Sequence, residues 1–235
     1  MTPALRQLST AEGERRYLFL PPAGGSVGTL REIATADAVW GAEYPGRGDR
    51  IAERLPATLE ELAERLTLEF VERFGENGVT KTMLIGFSMG AFVALEMTRR
   101  VFTYCGAEPA TLVVVGAIAP HRRRPSAYPQ TDEALTRLLD RDGLVPPEVR
   151  DYALDLLRGD MALMEKYRGP AEVPVSCPLI ALCGADDPAR AATDDATGAW
   201  RRWTTGPFRA ELVPGGHLDL LKPGHGSAFW HVIER

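Results

Sequence analysis

One stretch constrains this chain more than any other: Leu84-Ile85-Gly86-Phe87-Ser88-Met89-Gly90-Ala91. A short apolar run enters Gly86-Phe87-Ser88-Met89-Gly90, and a helix-like pattern of Phe92, Leu95, Glu96 and Arg99 follows it. Gly-x-Ser-x-Gly between a strand and a helix is the form of a nucleophile elbow. A serine hydroxyl is a weak nucleophile, so it must stand clear of its strand with room for a base beside it. A turn sharp enough to do this tolerates little side chain next to it, which glycine on either side provides. The positive end of the following helix then faces the place where an oxyanion would form.

The rest of the chain supplies a sheet for this turn. Apolar runs at 17–20, 38–44, 82–87, 112–116, 179–183 and 208–213 read as strands, most of them buried on both faces. Leu59, Leu62, Ala63, Leu66 and Phe70 recur at helical spacing, predicting a helix over 58–74 with Thr58 as its N-cap. Strands alternating with helices imply a mostly parallel sheet covered on both faces. Between 121 and 171 the strand rhythm stops, and three helical pieces, 131–139, 147–157 and 160–167, read as a lid over one rim. A further helix is expected over 191–204, before the last strand. With 235 residues, one domain spanning 1–235 is the expectation.

A reactive serine needs an imidazole base and an acid that orients it. Of four histidines, His217 follows the last strand in Val213-Pro214-Gly215-Gly216-His217, where two glycines let the loop bend back to the sheet. His121 adjoins an arginine run, and His225 and His231 lie in the tail. The acid should follow the preceding strand, in Cys183-Gly184-Ala185-Asp186-Asp187-Pro188. The Gly-x-x-Asp spacing favours Asp187, Asp186 is the alternative, and Asp219 a third choice. Asp residues also start turns for their own sake. Serine, then acid, then histidine is the chain order of the α/β-hydrolase fold. One oxyanion donor is the N–H of Met89, and the other belongs to the loop after an early strand. In Pro21-Pro22-Ala23-Gly24-Gly25 the prolines lack an N–H, so Ala23 carries the first one available.

Together these segments resemble the type II thioesterases, stand-alone editing hydrolases of nonribosomal peptide and polyketide synthesis. Leu20-Pro21-Pro22-Ala23-Gly24-Gly25-Ser26 and Tyr44-Pro45-Gly46-Arg47-Gly48-Asp49-Arg50 are similar to two loops of that family, and the elbow is close to its elbow. Residues 157–167, 200–208 and Pro214-Gly215-Gly216-His217 complete the likeness, which covers nearly the whole chain. The resemblance implies hydrolysis of acyl thioesters on the phosphopantetheine arm of acyl or peptidyl carrier proteins. It implies a lid between strands, Ser88, Asp187 and His217 as a triad, Ala23 and Met89 as oxyanion donors, and a monomer. Pro22 and Phe87 stand where the family often has histidine, and Pro188-Ala189-Arg190 departs from its usual pattern after the acid.

Composition narrows the partners. The net charge of −5 argues against nucleic acid. Three cysteines, Cys105, Cys177 and Cys183, have no metal-ligand spacing and fit a reducing compartment. The polar stretch 1–16 lacks an apolar signal core, and the run 112–119 is too short to span a bilayer. A cytoplasmic protein without metal or cofactor is expected. Two other readings share these residues: an esterase or lipase acting on free esters, and a hydrolase-fold binding protein without catalysis. The run His121-Arg122-Arg123-Arg124 is either a docking patch for an acidic carrier or a solvated loop. Met161, Leu163, Met164 and Tyr167 either line an acyl channel or pack in the core, and Arg47 either reaches the rim or pairs with a carboxylate.

Overall fold

β-Branched and aromatic runs, apolar on both faces, are stable only when covered on both sides, and the chain places them at the centre of one sheet. The computed structural model describes residues 2–9, 15–33, 38–123, 131–142, 147–170, 174–188, 195–222 and 224–235. Its strands are β1 (Leu5–Gln7), β2 (Arg16–Leu20), β3 (Ala38–Ala42), β4 (Thr82–Phe87), β5 (Thr111–Val115), β6 (Leu179–Gly184) and β7 (Phe208–Val213). They lie in the order β1-β3-β2-β4-β5-β6-β7. β1 runs antiparallel to β3 and every other pair is parallel. Leu20 pairs with Gly86, Phe87 with Val115, and Gly184 with Val213. This register brings the loops after β2, β4, β6 and β7 out along one rim, where open parallel sheets carry their sites.

Alternate residues of the strands feed two cores. Leu18, Leu20, Leu84, Leu112, Val114 and Ala181 face helices α1 (Leu59–Thr80) and α2 (Met89–Cys105). Phe19, Ile85, Phe87, Val113 and Leu182 face Phe229, Trp230 and Ile233 of the C-terminal helix α5 (Gly226–Ile233). Thr58 caps α1 as expected, its side chain accepting the Glu61 N–H at 3.1 Å. α1 runs past the expected end at 74 to Thr80, turning through Gly75 at φ 60°.

Between β5 and β6 lie a 3-10 turn at Pro120–Arg122, helix α3 (Asp132–Asp142) and, after a second such turn at Pro147–Val149, helix α4 (Arg150–Lys166). The two helical pieces expected at 147–157 and 160–167 are thus one helix. Gly159, between those two pieces, stays inside it, where a Cβ would sit 2.6 Å from Leu55 Cδ1. The absence of a Cβ there lets the Leu55 side chain lie against the helix. The helix expected over 191–204 is a 3-10 turn at Gly198–Trp203, its start at 191–194 lying outside the described residues. Trp200 and Trp203, three apart, share a side in that tighter winding, and both are buried. Among the described residues no helix is long and apolar enough to cross a membrane.

Candidate active site

The elbow is forced by its neighbours. Ser88 takes φ 51° and ψ −111°, a strained conformation for any residue with a side chain. Its N–H is held by Val115 O at 2.8 Å, and its own carbonyl accepts the Ala91 N–H at 3.1 Å. A Cβ on Gly86 would lie 2.1 Å from Gly90 O, and one on Gly90 would lie 2.1 Å from Leu20 O. Both contacts are with backbone, so neither position admits a side chain. The hydroxyl thus stands above β4 at the N-terminal end of α2.

His217 reaches it from the loop after β7. Its Nε2 lies 3.1 Å from Ser88 Oγ, and its Nδ1 lies 2.7 Å from Asp187 Oδ2. The Asp187 side chain is 1% exposed and that of His217 16%. Cys183 also donates its S–H to Asp187 Oδ2 at 3.7 Å. Asp186, the alternative acid, is exposed; its backbone N–H holds the histidine loop through Gly215 O at 2.9 Å. Asp219 accepts the Gly216 N–H at 2.6 Å and pairs with Lys222 at 2.7 Å. These bonds, the backbone one foremost, hold its carboxyl below the usual range and spend it on the loop rather than the imidazole. A Cβ on Gly116, at φ 62°, would come 3.0 Å from His217 O and 3.4 Å from the ring, so that glycine forms the floor under the imidazole. His225 and His231 are exposed in the tail.

The loop 21–25 emerges beside the elbow, because β2 pairs with β4 and Leu20 O abuts Gly90. Gly24 at φ 72° turns it, and Gly25 N–H donates to Pro22 O at 3.0 Å. Ala23 packs against Leu135, Leu157 and Met161. Met89, whose N–H is the other expected donor, opens α2. The loop is held by Tyr44 Oη donating to Pro21 O at 3.2 Å, and by Arg47 Nη1 donating to Gly25 O at 2.8 Å.

Other expectations resolve residue by residue. Arg47 pairs with a carboxylate, Asp160 of α4, with both side chains 1% exposed. The arginine run divides: Arg123 donates to the carbonyls of Met164 and Tyr167 and lies 4.7 Å from the centre of the Phe92 ring. His121 Nδ1 accepts the Trp203 indole N–H at 3.1 Å, and burial with nearby Arg202 and Arg122 lowers its pKa. Arg122 is exposed, and Arg124 lies outside the described residues. Of the four residues proposed for an acyl channel, Met161 faces Ala23 and α3, whereas Leu163, Met164 and Tyr167 belong to the main core. Asp160 was missed. Its signal was a carboxylate on the same helical face as Leu156, Leu157, Leu163 and Met164.

A mostly parallel sheet with this elbow, an imidazole after the last strand and a buried acid after the one before it defines the α/β-hydrolase class. Within that class, the Thioesterase domain family matches residues 16–235, and the chain belongs to it. It is 32% identical over 230 residues to the probable cadicidin biosynthesis thioesterase of Streptomyces griseus, covering 93% of this chain and 62% of that one. It is 32% identical over 229 residues to thioesterase PikA5 of Streptomyces venezuelae, covering 93% and 78%. Among solved structures, the type II thioesterase BorB from the borrelidin biosynthetic cluster superposes with a TM-score of 0.84 at 34% identity, covering 98% of this chain and 96% of that one. YbtT, a type II thioesterase of the yersiniabactin pathway, gives 0.80 at 26% identity over 99% and 97%.

Proposed function

We propose that this chain hydrolyses acyl groups held as thioesters on the phosphopantetheine arm of acyl or peptidyl carrier domains, in a nonribosomal peptide or polyketide assembly line. The supporting observation is the unbroken series Ser88 Oγ, His217 Nε2, His217 Nδ1, Asp187 Oδ2, at 3.1 and 2.7 Å. The names of the relatives support the substrate class. Ser88 Oγ forms a bond to the thioester carbonyl carbon while His217 takes its proton, and buried Asp187 stabilises the imidazolium. The carbonyl oxygen gains the electron pair and sits on the Ala23 and Met89 N–H groups. Collapse breaks the C–S bond. A thiol of pKa about 8.5 departs with little help, and His217 returns the proton. Water then attacks the acyl-serine through the same imidazole, releasing acid and free Ser88. No step calls for a metal or redox cofactor.

On this reading the helices between β5 and β6 form a lid on a single domain, with Leu135, Leu157 and Met161 of α3 and α4 packed against Ala23. The protein works as a cytoplasmic monomer. The test is turnover of acyl-carrier thioester against a matched free ester, with Ser88→Ala as control. Carrier-thioester turnover and fluorophosphonate labelling, both lost in Ser88→Ala, are expected. Preference for the free ester would place the chain among esterases, and absence of labelling would make it a binding protein.

A further inference from the structure

Three segments far apart in sequence meet at one buried carboxylate. Asp160 Oδ1 accepts from Arg47 Nη2 at 2.8 Å, while Oδ2 accepts from Arg47 Nη1 and from the Gly24 backbone N–H, each at 2.8 Å. Arg47 Nη1 also reaches Gly25 O at 2.8 Å, and its Nε donates to Pro45 O at 3.4 Å. The turn carrying Ala23 is therefore gripped on both sides. Pro21 O is bonded to Tyr44, Gly24 N–H to Asp160 and Gly25 O to Arg47. Inside that grip, Gly25 N–H donates to Pro22 O at 3.0 Å. Pro22 C=O and Ala23 N–H belong to one rigid peptide plane, so this bond sets where the Ala23 N–H points.

The helix that carries Asp160 is itself anchored to the elbow. Arg123 caps the carbonyls of Met164 and Tyr167, and Tyr167 Oη donates to Glu96 Oε1 at 2.9 Å. Glu96 lies in α2, the helix that starts next to Ser88. α4 thus joins α2 to the turn 21–25. A buried ion pair is a poor source of stability, since apolar residues of similar volume hold such a site as well or better. What apolar residues cannot do is satisfy Gly24 N–H and Gly25 O.

We propose that Asp160 and Arg47 are positioning residues for the oxyanion hole: α4 aims the Ala23 N–H through them, so the seat of this lid helix sets transition-state stabilisation. The proposal rests on the acyl-serine reading above. An oxyanion donor is worth about 10²–10³ in kcat when removed, so a misaimed one costs about tenfold or more.

Two double variants test this: Arg47→Met/Asp160→Leu, and Arg47→Leu/Asp160→Met, a second apolar pairing of different shape that decides the matter where the first does not fold; neither can bond to Gly24 N–H or Gly25 O. The readouts are kcat and KM on an acyl thioester, inhibition by an acyl trifluoromethyl ketone, and melting temperature. Ser88 adds to the ketone, its proton passes to His217, and the hemiketal oxyanion occupies the hole. A fall in kcat of about tenfold or more is expected, with KM within about threefold and an equal loss of ketone affinity, in a folded protein. An unchanged kcat in a folded variant overturns the proposal. So does a lower kcat with undiminished ketone affinity, which is the signature of a merely structural role. Ser88→Ala separates the two ideas: turnover surviving there sinks the acyl-serine reading, while turnover lost there and kept in the double variant sinks the coupling alone.

Discussion

Gly184 is the residue whose replacement most directly tests how the imidazole is held. It ends β6, and a Cβ there would lie 2.4 Å from both Gly215 O and Gly216 O. A carbon and a carbonyl oxygen need about 3.3 Å, so something must retreat by about 1 Å. β6 cannot, because it is hydrogen-bonded to β5 on one side and β7 on the other. The loop 214–217 must move instead, against Asp186 N–H on Gly215 O at 2.9 Å and Asp219 on Gly216 N–H at 2.6 Å. Carried outward by that amount, His217 Nε2 would leave its 3.1 Å contact with Ser88 Oγ for about 4 Å, beyond the reach of a general base.

A misplacement of this size costs about 10²-fold in rate, or about 2.7 kcal/mol in the barrier. Overpacking itself costs about 1–3 kcal/mol of stability. Gly184→Ala should therefore remain folded, lose about 10²-fold in kcat on a short acyl-N-acetylcysteamine thioester followed by thiol release, and label with fluorophosphonate correspondingly more slowly. A kcat within about threefold of the parent, at an unchanged melting temperature, would refute the reasoning, because the loop would then not be what fixes the imidazole.

Asp187→Asn should lower kcat by about 10²–10⁴, whereas Asp186→Asn, exposed and, among the described residues, bonded only through its backbone, should stay within about twofold. Tyr167→Phe removes a buried hydrogen bond to Glu96 and should cost about 1–3 kcal/mol in urea unfolding; a loss under about 0.5 kcal/mol would mean that α4 is not anchored there. Glu43 is buried, and burial raises its pKa above the usual carboxylate range. The unfolded chain then releases this proton at lower pH than the folded one, so Glu43 lowers stability as pH rises through that range. Glu43→Gln should melt higher than the parent at about pH 7–8, with the gain vanishing towards about pH 4. A gain that does not depend on pH would reject this.

What the sequence showed, and what it hid, divides by how locally each feature is determined. β4 and β5 are legible because consecutive apolar residues admit few alternatives to a covered strand, and Ser88 because its turn needs glycines at fixed offsets. β1 is only three residues at a sheet edge, too short for any period to register. α5, Gly-Ser-Ala-Phe-Trp-His-Val-Ile, contains few good helix formers and holds its shape because Phe229, Trp230 and Ile233 pack beneath the sheet. The Gly-x-x-Asp spacing favoured Asp187 without settling the choice against Asp186. That choice turns on which side chain points inward after the bend at Gly184, whose carbonyl accepts the Asp187 N–H at 3.2 Å.

Asp160 was hidden for a different reason, and that reason bears on how the two halves of the site are held. A single carboxylate in a helix looks like any solvated helical residue until a partner 113 positions away is brought against it. Serine and imidazole are set mainly by backbone packed on backbone, since Cβ atoms on Gly86, Gly90 and Gly184 would strike peptide atoms of the elbow, β2 and the histidine loop. Such contacts leave little room to adjust. The turn 21–25, in contrast, is anchored by the side chains of Tyr44, Arg47 and Asp160, and the last of these rides on the helix that also presents Leu157 and Met161 to Ala23. On the acyl-serine reading proposed above, an acyl chain pressing on α4 would act on both that apolar cluster and the anchor of the proposed oxyanion donor. On that same reading, discrimination between acyl chains would fall in kcat as well as KM, because the helix a bulky chain displaces would also aim the donor proposed to stabilise the transition state.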